Sequence, residues 1–136
     1  MKSPLAIHIL TKNNADTIDT LICSLNQINC NFYIADIGSS DGTLEKLIKY
    51  NPKISKFSLG DDISLIRNQT ISKIENAWIL YLEPYESIIS GLENLVKVVS
   101  GPVSAYNIGV LQGNILTRQI RLWHSSLGYK LSLIHI

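Results

Sequence analysis

The feature that most limits what this chain can fold into is a repeated pairing of a short apolar run with a helical stripe. Leu5 to Leu10 is apolar except for His8, and Ala77 to Leu82 is apolar throughout. Such runs are too short for core helices and show no alternation, so they read as strands buried on both faces. Phe32 to Ile37 is a further strand, and Ile54 to Leu59 a weaker one. Each is followed by helical spacing. Ile18, Leu21, Ile22 and Leu25 follow Asn14 as an N-cap, and Leu44, Leu47 and Ile48 follow Gly38-Ser39-Ser40-Asp41-Gly42. Ile63, Ile66, Ile71 and Ile74 follow Asp62 as an N-cap. Leu92, Leu95, Val96 and Val99 follow Ser90-Gly91-Leu92-Glu93, which has the form of a capping box. Asn51-Pro52 and Gly101-Pro102 stop the second and fourth helices. Four such units predict right-handed crossovers and a mostly parallel sheet flanked by helices. Val103 to Leu111 and Ile115 to Trp123 then break the alternation as two strands joined by Gln112-Gly113-Asn114, a C-terminal antiparallel ribbon.

Composition narrows what such a fold can do. With 46% apolar and 17% charged residues among 136, disorder is excluded as the main state, and one domain without linker or repeat is expected. Twelve basic against eleven acidic residues, in no basic block, give no footprint for nucleic acid. The longest apolar run falls far short of the roughly 20 residues of a spanning helix. Met1-Lys2-Ser3-Pro4 does not open a secretory signal, so a cytoplasmic chain is expected. Cys23 and Cys30 are too few for a disulfide framework, and no His/Cys spacing supports zinc.

In an open parallel sheet, ligands bind beyond the carboxyl ends of the strands. The segments there are Thr11-Lys12-Asn13-Asn14, then Asp36 with Gly38 to Gly42, then Asp61-Asp62, then Glu83-Pro84-Tyr85-Glu86. They gather carboxylates, amides and small residues at one edge, with Arg67 and Asn68 on the adjoining helix, which suits a phosphorylated, hydrogen-bonding ligand. Taken singly, these residues have plainer readings. Asp36 and Asp41 cap a turn and a helix, Arg67 is a helix residue paired with a carboxylate, and Lys12 is solvated. His8 reads as a satisfied core residue, Tyr81 and Trp123 as packing residues.

The run Ile34 to Thr43 resembles the second-strand signature of family 2 glycosyltransferases, an inverting class with the GT-A fold. Lys12-Asn13-Asn14 is similar to that family's first loop, Asp62 to Asn68 to its third, and Trp78 to Glu86 to its acidic loop, in register across most of residues 5 to 123. Ile120-Arg121-Leu122-Trp123 resembles a short signature of members related to lipopolysaccharide-core transferases. The resemblance implies a Rossmann-like GT-A nucleotide-binding half that takes a sugar from a UDP-linked donor and passes it, with inversion, to a glycan or lipid-linked acceptor. Cell-envelope polysaccharide synthesis, in the cytoplasm or peripheral to the inner membrane, is the setting it implies. Donor contacts fall on Thr11, Lys12, Asn13, Asp36, Gly38, Ser39, Asp62 and Arg67. Asp36 would accept from the uracil imide, and Arg67 would meet the diphosphate or a base carbonyl. The family holds Mg²⁺ or Mn²⁺ with an Asp-x-Asp. Here Glu83 and Glu86 are the candidate ligands, and Tyr85 stands where the second aspartate is usual. The general base comes from later sequence in the family, and no residue here is assigned to it.

Family members continue well past the ribbon, whereas this sequence ends thirteen residues beyond Trp123. Residues 1–130 are therefore expected to be a partial GT-A domain. Residues 131–136, Leu-Ser-Leu-Ile-His-Ile, are what the transposase adapter CTG TCT CTT ATA CAC ATC encodes, and are expected to be a non-native tail. The alternative reading is a catalytically incomplete fragment that binds nucleotide-sugar. A dinucleotide oxidoreductase is disfavoured, since Thr11-Lys12-Asn13-Asn14 replaces G-x-G-x-x-G after the first strand.

Overall fold

The computed structural model describes residues 4–25, 28–58 and 60–128; the expected adapter tail lies outside them. The elements are β1 (Leu5–Thr11), α1 (Ile18–Ser24), β2 (Asn31–Asp36), α2 (Thr43–Ile48), β3 (Lys53–Lys56), α3 (Ile63–Ser72), β4 (Trp78–Leu82), α4 (Leu92–Val98), β5 (Ala105–Gln112) and β6 (Ile115–His124). They form one six-stranded sheet in the order β3-β2-β1-β4-β6-β5. The first four strands run parallel, β6 runs antiparallel to β4, and β5 antiparallel to β6.

Every residue of β1 and β4 is buried, as apolar runs without alternation require of strands covered on both faces. The two-residue period of the strands splits their side chains between two layers. Leu5, Ile7, Ile9, Trp78, Leu80 and Leu82 pack with Ile18, Leu21 and Ile22 of α1, Leu47 of α2 and Leu95 of α4. Ala6, Ile79, Tyr81 and Trp123 face the other way, where Ile71 of α3 and Ile74 close a second cluster. Leu10, Ala35 and Ile66 complete that layer toward the carboxyl ends. Among the described helices α3 alone covers this face, on which His8 and Arg121 also lie.

Local signals at helix ends fared less well than the strands. Asn14 does not cap α1: Thr17 holds that position without a side-chain bond, and the Asn14 carboxamide turns back to accept from Lys12 N–H and Thr11 Oγ1. The expected capping box does not form, because α4 starts after Gly91, whose positive φ of 86° places no side chain to cap it. Asp62 caps α3 as expected, accepting from the N–H groups of Ser64 and Leu65. Ile48, Ile63 and Val96, counted in the apolar stripes, are exposed. α2 and α4 are short, and Ile63 is the first residue of α3, so these stripe positions reach solvent. The two-residue hairpin turn sits at Gly113, with φ of 59°.

Candidate functional site

The connection order sets where a ligand can enter. From β1 the chain moves outward through β2 to β3, then returns to the far side of β1 as β4. That reversal makes the carboxyl ends of β1 and β4 a switch point, where the crossovers diverge and leave a crevice. Thr11 lies in register with Asp36. Asp36 ends β2 and Glu83 follows β4, on either side of β1, their backbones two strand spacings or about 10 Å apart.

The loops after β1 and β2 are clasped together across this edge. Asn13, at φ of 54°, donates its N–H to Ser39 Oγ at 3.0 Å and accepts from Ser40 N–H through Oδ1 at 2.8 Å. Asn14 N–H donates to Thr43 Oγ1 at 2.9 Å, and Ala15 N–H to Asp41 Oδ2 at 3.1 Å. Thr43 in turn donates its hydroxyl and N–H to Asp41. The Thr43 hydroxyl is the main influence holding the Asp41 carboxyl below its ordinary value. Asp36 is buried and accepts the N–H groups of Gly38 and Ser39 at 3.2–3.3 Å. Gly38 makes that turn with φ of 111°, a conformation L side chains rarely take.

On the other lip the acidic loop is held by two arginines. Arg67 Nη2 meets Glu83 Oε1 at 2.9 Å, and Arg121 grips Glu86 with both terminal nitrogens, at 2.8 and 3.0 Å. Arg121 also donates to the Tyr81 carbonyl at 3.1 Å and to Gln119 at 2.9 Å. Both guanidinium groups lie over the Tyr81 ring, 4.3 and 4.8 Å from its centroid. The Tyr81 hydroxyl donates to Glu83 Oε1, and Glu83 N–H to Glu86 Oε1 at 2.7 Å. Thr17 Oγ1 donates to the Pro84 carbonyl at 3.0 Å, joining α1 to this loop. Arg67 Nε, although buried, has no partner.

The structure thus brings Thr11, Lys12, Asn13, Asp36, Gly38 and Ser39 together along adjacent loops, and Arg67, Glu83 and Glu86 together beside them. Asp62 stands at the start of α3 as its cap. Lys12 is exposed. A cavity of about 400 Å³ lies elsewhere, lined by Ile71, Ser72, Ile74, Asn76, Ile79 and Trp123 among others, and none of the predicted donor or metal residues borders it. His8 differs from expectation: it is fully buried, yet neither ring nitrogen makes a well-formed hydrogen bond, a weak approach to the Tyr33 backbone aside. Burial, and then the Arg67 charge, lower it to about 4.

Arg121 was missed as a site residue. Its run was noticed for resemblance, but nothing local to residue 121 announces a bidentate partner at Glu86. Tyr81 is a packing residue, as read, and also the platform on which both cations rest.

As arranged, this donor set does not fit a divalent cation. Both candidate carboxylates are engaged by guanidinium groups. Tyr85 is a largely exposed phenol whose deprotonation is opposed by partial desolvation and then by the charges of Glu83 and Glu86. Among the described residues no group of three or more His, Cys, Asp or Glu could hold a metal. Nor is any described helix long and apolar enough to cross a membrane.

No protein-family model and no curated protein matches the chain. Solved structures do. TarS 1–349 from S. aureus in complex with UDP superposes with a TM-score of 0.61 at 20% identity, over 71% of this chain and 32% of that one. The mannosyltransferase PcManGT from Pyrobaculum calidifontis, in complex with GDP-Man and Mn²⁺, superposes with a TM-score of 0.59 at 13% identity, over 77% of this chain and 34% of that one. The chain spans about a third of the length of these proteins. The fold is accordingly α/β of the Rossmann-like GT-A kind, a mostly parallel sheet flanked by helices with an antiparallel ribbon at its end.

Proposed function

We propose that this chain forms the donor-binding part of a family 2 type glycosyltransferase, which moves a sugar from a UDP-linked donor to a glycan or lipid-linked acceptor with inversion. The observation that carries this reading is the clasp of Asn13 and Ser39 at the switch point, which joins two loops into one rim with Arg67 and Glu83 on its other side. Neighbours of the same fold that hold UDP or GDP-mannose support it.

In the proposed site, Asp36 uses some of its carboxylate lone pairs on Gly38 and Ser39 and keeps others for the imide N–H of a uracil. The Lys12 and Asn13 N–H groups are taken by Asn14 and Ser39, which leaves the exposed Lys12 ammonium as the first loop's donor to a ring carbonyl. Gly38 and Ser39 bring backbone close to the nucleoside, and Asp62 fixes the start of the helix that carries Arg67. As the acceptor hydroxyl attacks the anomeric carbon, the bond to the UDP oxygen breaks and negative charge grows on the departing diphosphate. Arg67 lies on that side of the site to offset it. The hydroxyl proton passes to a base that no described residue supplies. An envelope polysaccharide made at the cytoplasmic side of the inner membrane is the setting this reading favours.

A UDP titration by calorimetry, on the wild-type chain and on Asp36→Ala, tests it. The variant is expected to bind about tenfold or more weakly, with thermal unfolding reporting whether its loop still folds. Equal affinity would overturn the donor site. Binding without turnover is the second reading, favoured by the pairing of both acidic-loop carboxylates with arginines. A donor-hydrolysis assay run beside the titration separates the two.

A further inference from the structure

We infer that a nucleoside diphosphate binds this chain without a divalent cation, Arg67 and Arg121 together taking the charge role that such a cation would have. The inference rests on the donor-site reading above and goes beyond it. A dication held by two carboxylates makes a neutral cluster. Glu83 and Glu86 already form a neutral cluster here, with one guanidinium each. Both guanidinium groups are almost wholly buried, and both rest on one ring, so the cluster is a fixed part of the fold and not a pair of loose surface contacts.

The remaining ligand capacity points the same way. Glu86 Oε1 accepts from Glu83 N–H and from Arg121, and Oε2 accepts from Arg121 again. Glu83 Oε1 accepts from Tyr81 and Arg67. Coordinating a cation through both carboxylates would set two like charges against two buried arginines that cannot leave without losing their partners. Tyr85, exposed and neutral, adds no hard ligand between them. Arg67, in contrast, has a donor to spare. Its Nε–H is buried and unpartnered, a costly state that a phosphate oxygen would relieve. Arg121 is nearly saturated, so its part is to neutralise and hold Glu86 and not to touch the ligand.

Calorimetric titration of UDP into the wild-type chain, once in EDTA and once in excess Mn²⁺, reads the point directly. The two affinities are expected to agree within about twofold. Affinity at least about tenfold higher in Mn²⁺ would overturn the cation-free site while leaving the donor-site reading intact. Absence of binding in both buffers would overturn both. Tyr85→Asp supplies a control that does not disturb the core, because residue 85 is exposed. Because Glu83 and Glu86 stay paired with their arginines, a third carboxylate at residue 85 is expected to leave the affinities in EDTA and in Mn²⁺ within about twofold of each other. A Mn²⁺ response of about tenfold or more in this variant would show that ligand shortage, and not the arginine pairing, excludes the cation, and the inference would fall.

Discussion

At the scale of single residues, the sharpest consequence belongs to His8. It stands in the middle of a strand buried on both faces, with the Tyr81 ring edge-on at 6.0 Å and the charge of Arg67 close by. The neutral ring is tolerated there and the imidazolium is not, which is why its pKa falls from 6.5 to about 4. Because the folded value is depressed, the unfolded chain binds the proton first. Stability is full above pH 6.5 and is lost as pH falls from 6.5 toward 4, by up to about 3 kcal/mol. Denaturant unfolding at a series of pH values, on wild type and His8→Leu, isolates this term from the carboxylates. The leucine variant is expected to lose the part of the slope that lies between pH 6.5 and 4. It is also expected to be no less stable at pH 7, since an unsatisfied polar ring is exchanged for an apolar side chain of similar bulk. A second residue, Tyr81, combines a hydroxyl and a ring that do different things. Tyr81→Phe removes only the bond to Glu83 and is expected to cost about 1 kcal/mol, whereas Tyr81→Leu also removes the surface under both guanidinium groups and should cost about 3 kcal/mol in the same unfolding measurement.

Elements meet at the site through short polar bonds, and their importance is greater than their number suggests. Thr43, the first residue of α2, is fully buried; its hydroxyl accepts from Asn14 of the first loop and donates to Asp41 of the second. Thr43→Val keeps the shape and removes both bonds. It is expected to lower stability by about 2 kcal/mol and to weaken UDP binding as well, because both loops form one rim. A variant with the stability loss and unaltered UDP affinity would separate the clasp from the ligand. This layer of the molecule was only partly legible in the sequence. Asp62 before α3 was readable because a cap signal is local, and among the described residues Asp62 has no competing partner. Asn14 departs from its cap reading because a carboxamide at a helix start has two uses, and its near neighbours Thr11 and Lys12 take it instead. Strand periodicity put Asp36 and Gly38 at the carboxyl edge of the sheet, where β2 ends. That the Asp36 carboxylate also organises its own loop follows from the turn at Gly38, which any Asx residue can support. The Arg121 pairing with Glu86 was illegible for a different reason. The two residues are brought together by β6 joining the sheet beside β4, and no helical or strand period links them.

The whole molecule divides unequally between a doubly covered sheet and a ribbon that leaves it. The parallel half was readable from sequence because strands buried on both faces cannot hide their composition, and the hairpin because Gly113 marks it. How far the ribbon projects was not readable. β6 pairs with β4 only from Leu122 to His124, where Trp78 packs against Tyr106 and His124. From Asn107 to Ile120 the two ribbon strands pair only with each other among the described residues. Leu111, Ile115, Leu116 and Ile120 are all more than half exposed there. A two-stranded ribbon without a covering layer is marginal in water, so its opening does not require the core to open. Its backbone amides are therefore expected to exchange with solvent at least about a hundredfold faster than those of Ile7, Ile9 and Leu80, whose strands open only with global unfolding. Amide exchange followed by NMR on the isolated chain measures this residue by residue. Equal protection at Leu116 and Ile7 would mean that something else covers the ribbon tip, and the division of the molecule into a stable parallel half and a weakly held arm would be wrong. A protected base at Leu122 and Trp123 beneath an unprotected tip is the pattern this architecture requires. It would also place the Arg121 contact to Glu86 at the boundary between the two, where loss of the ribbon's order reaches the acidic loop.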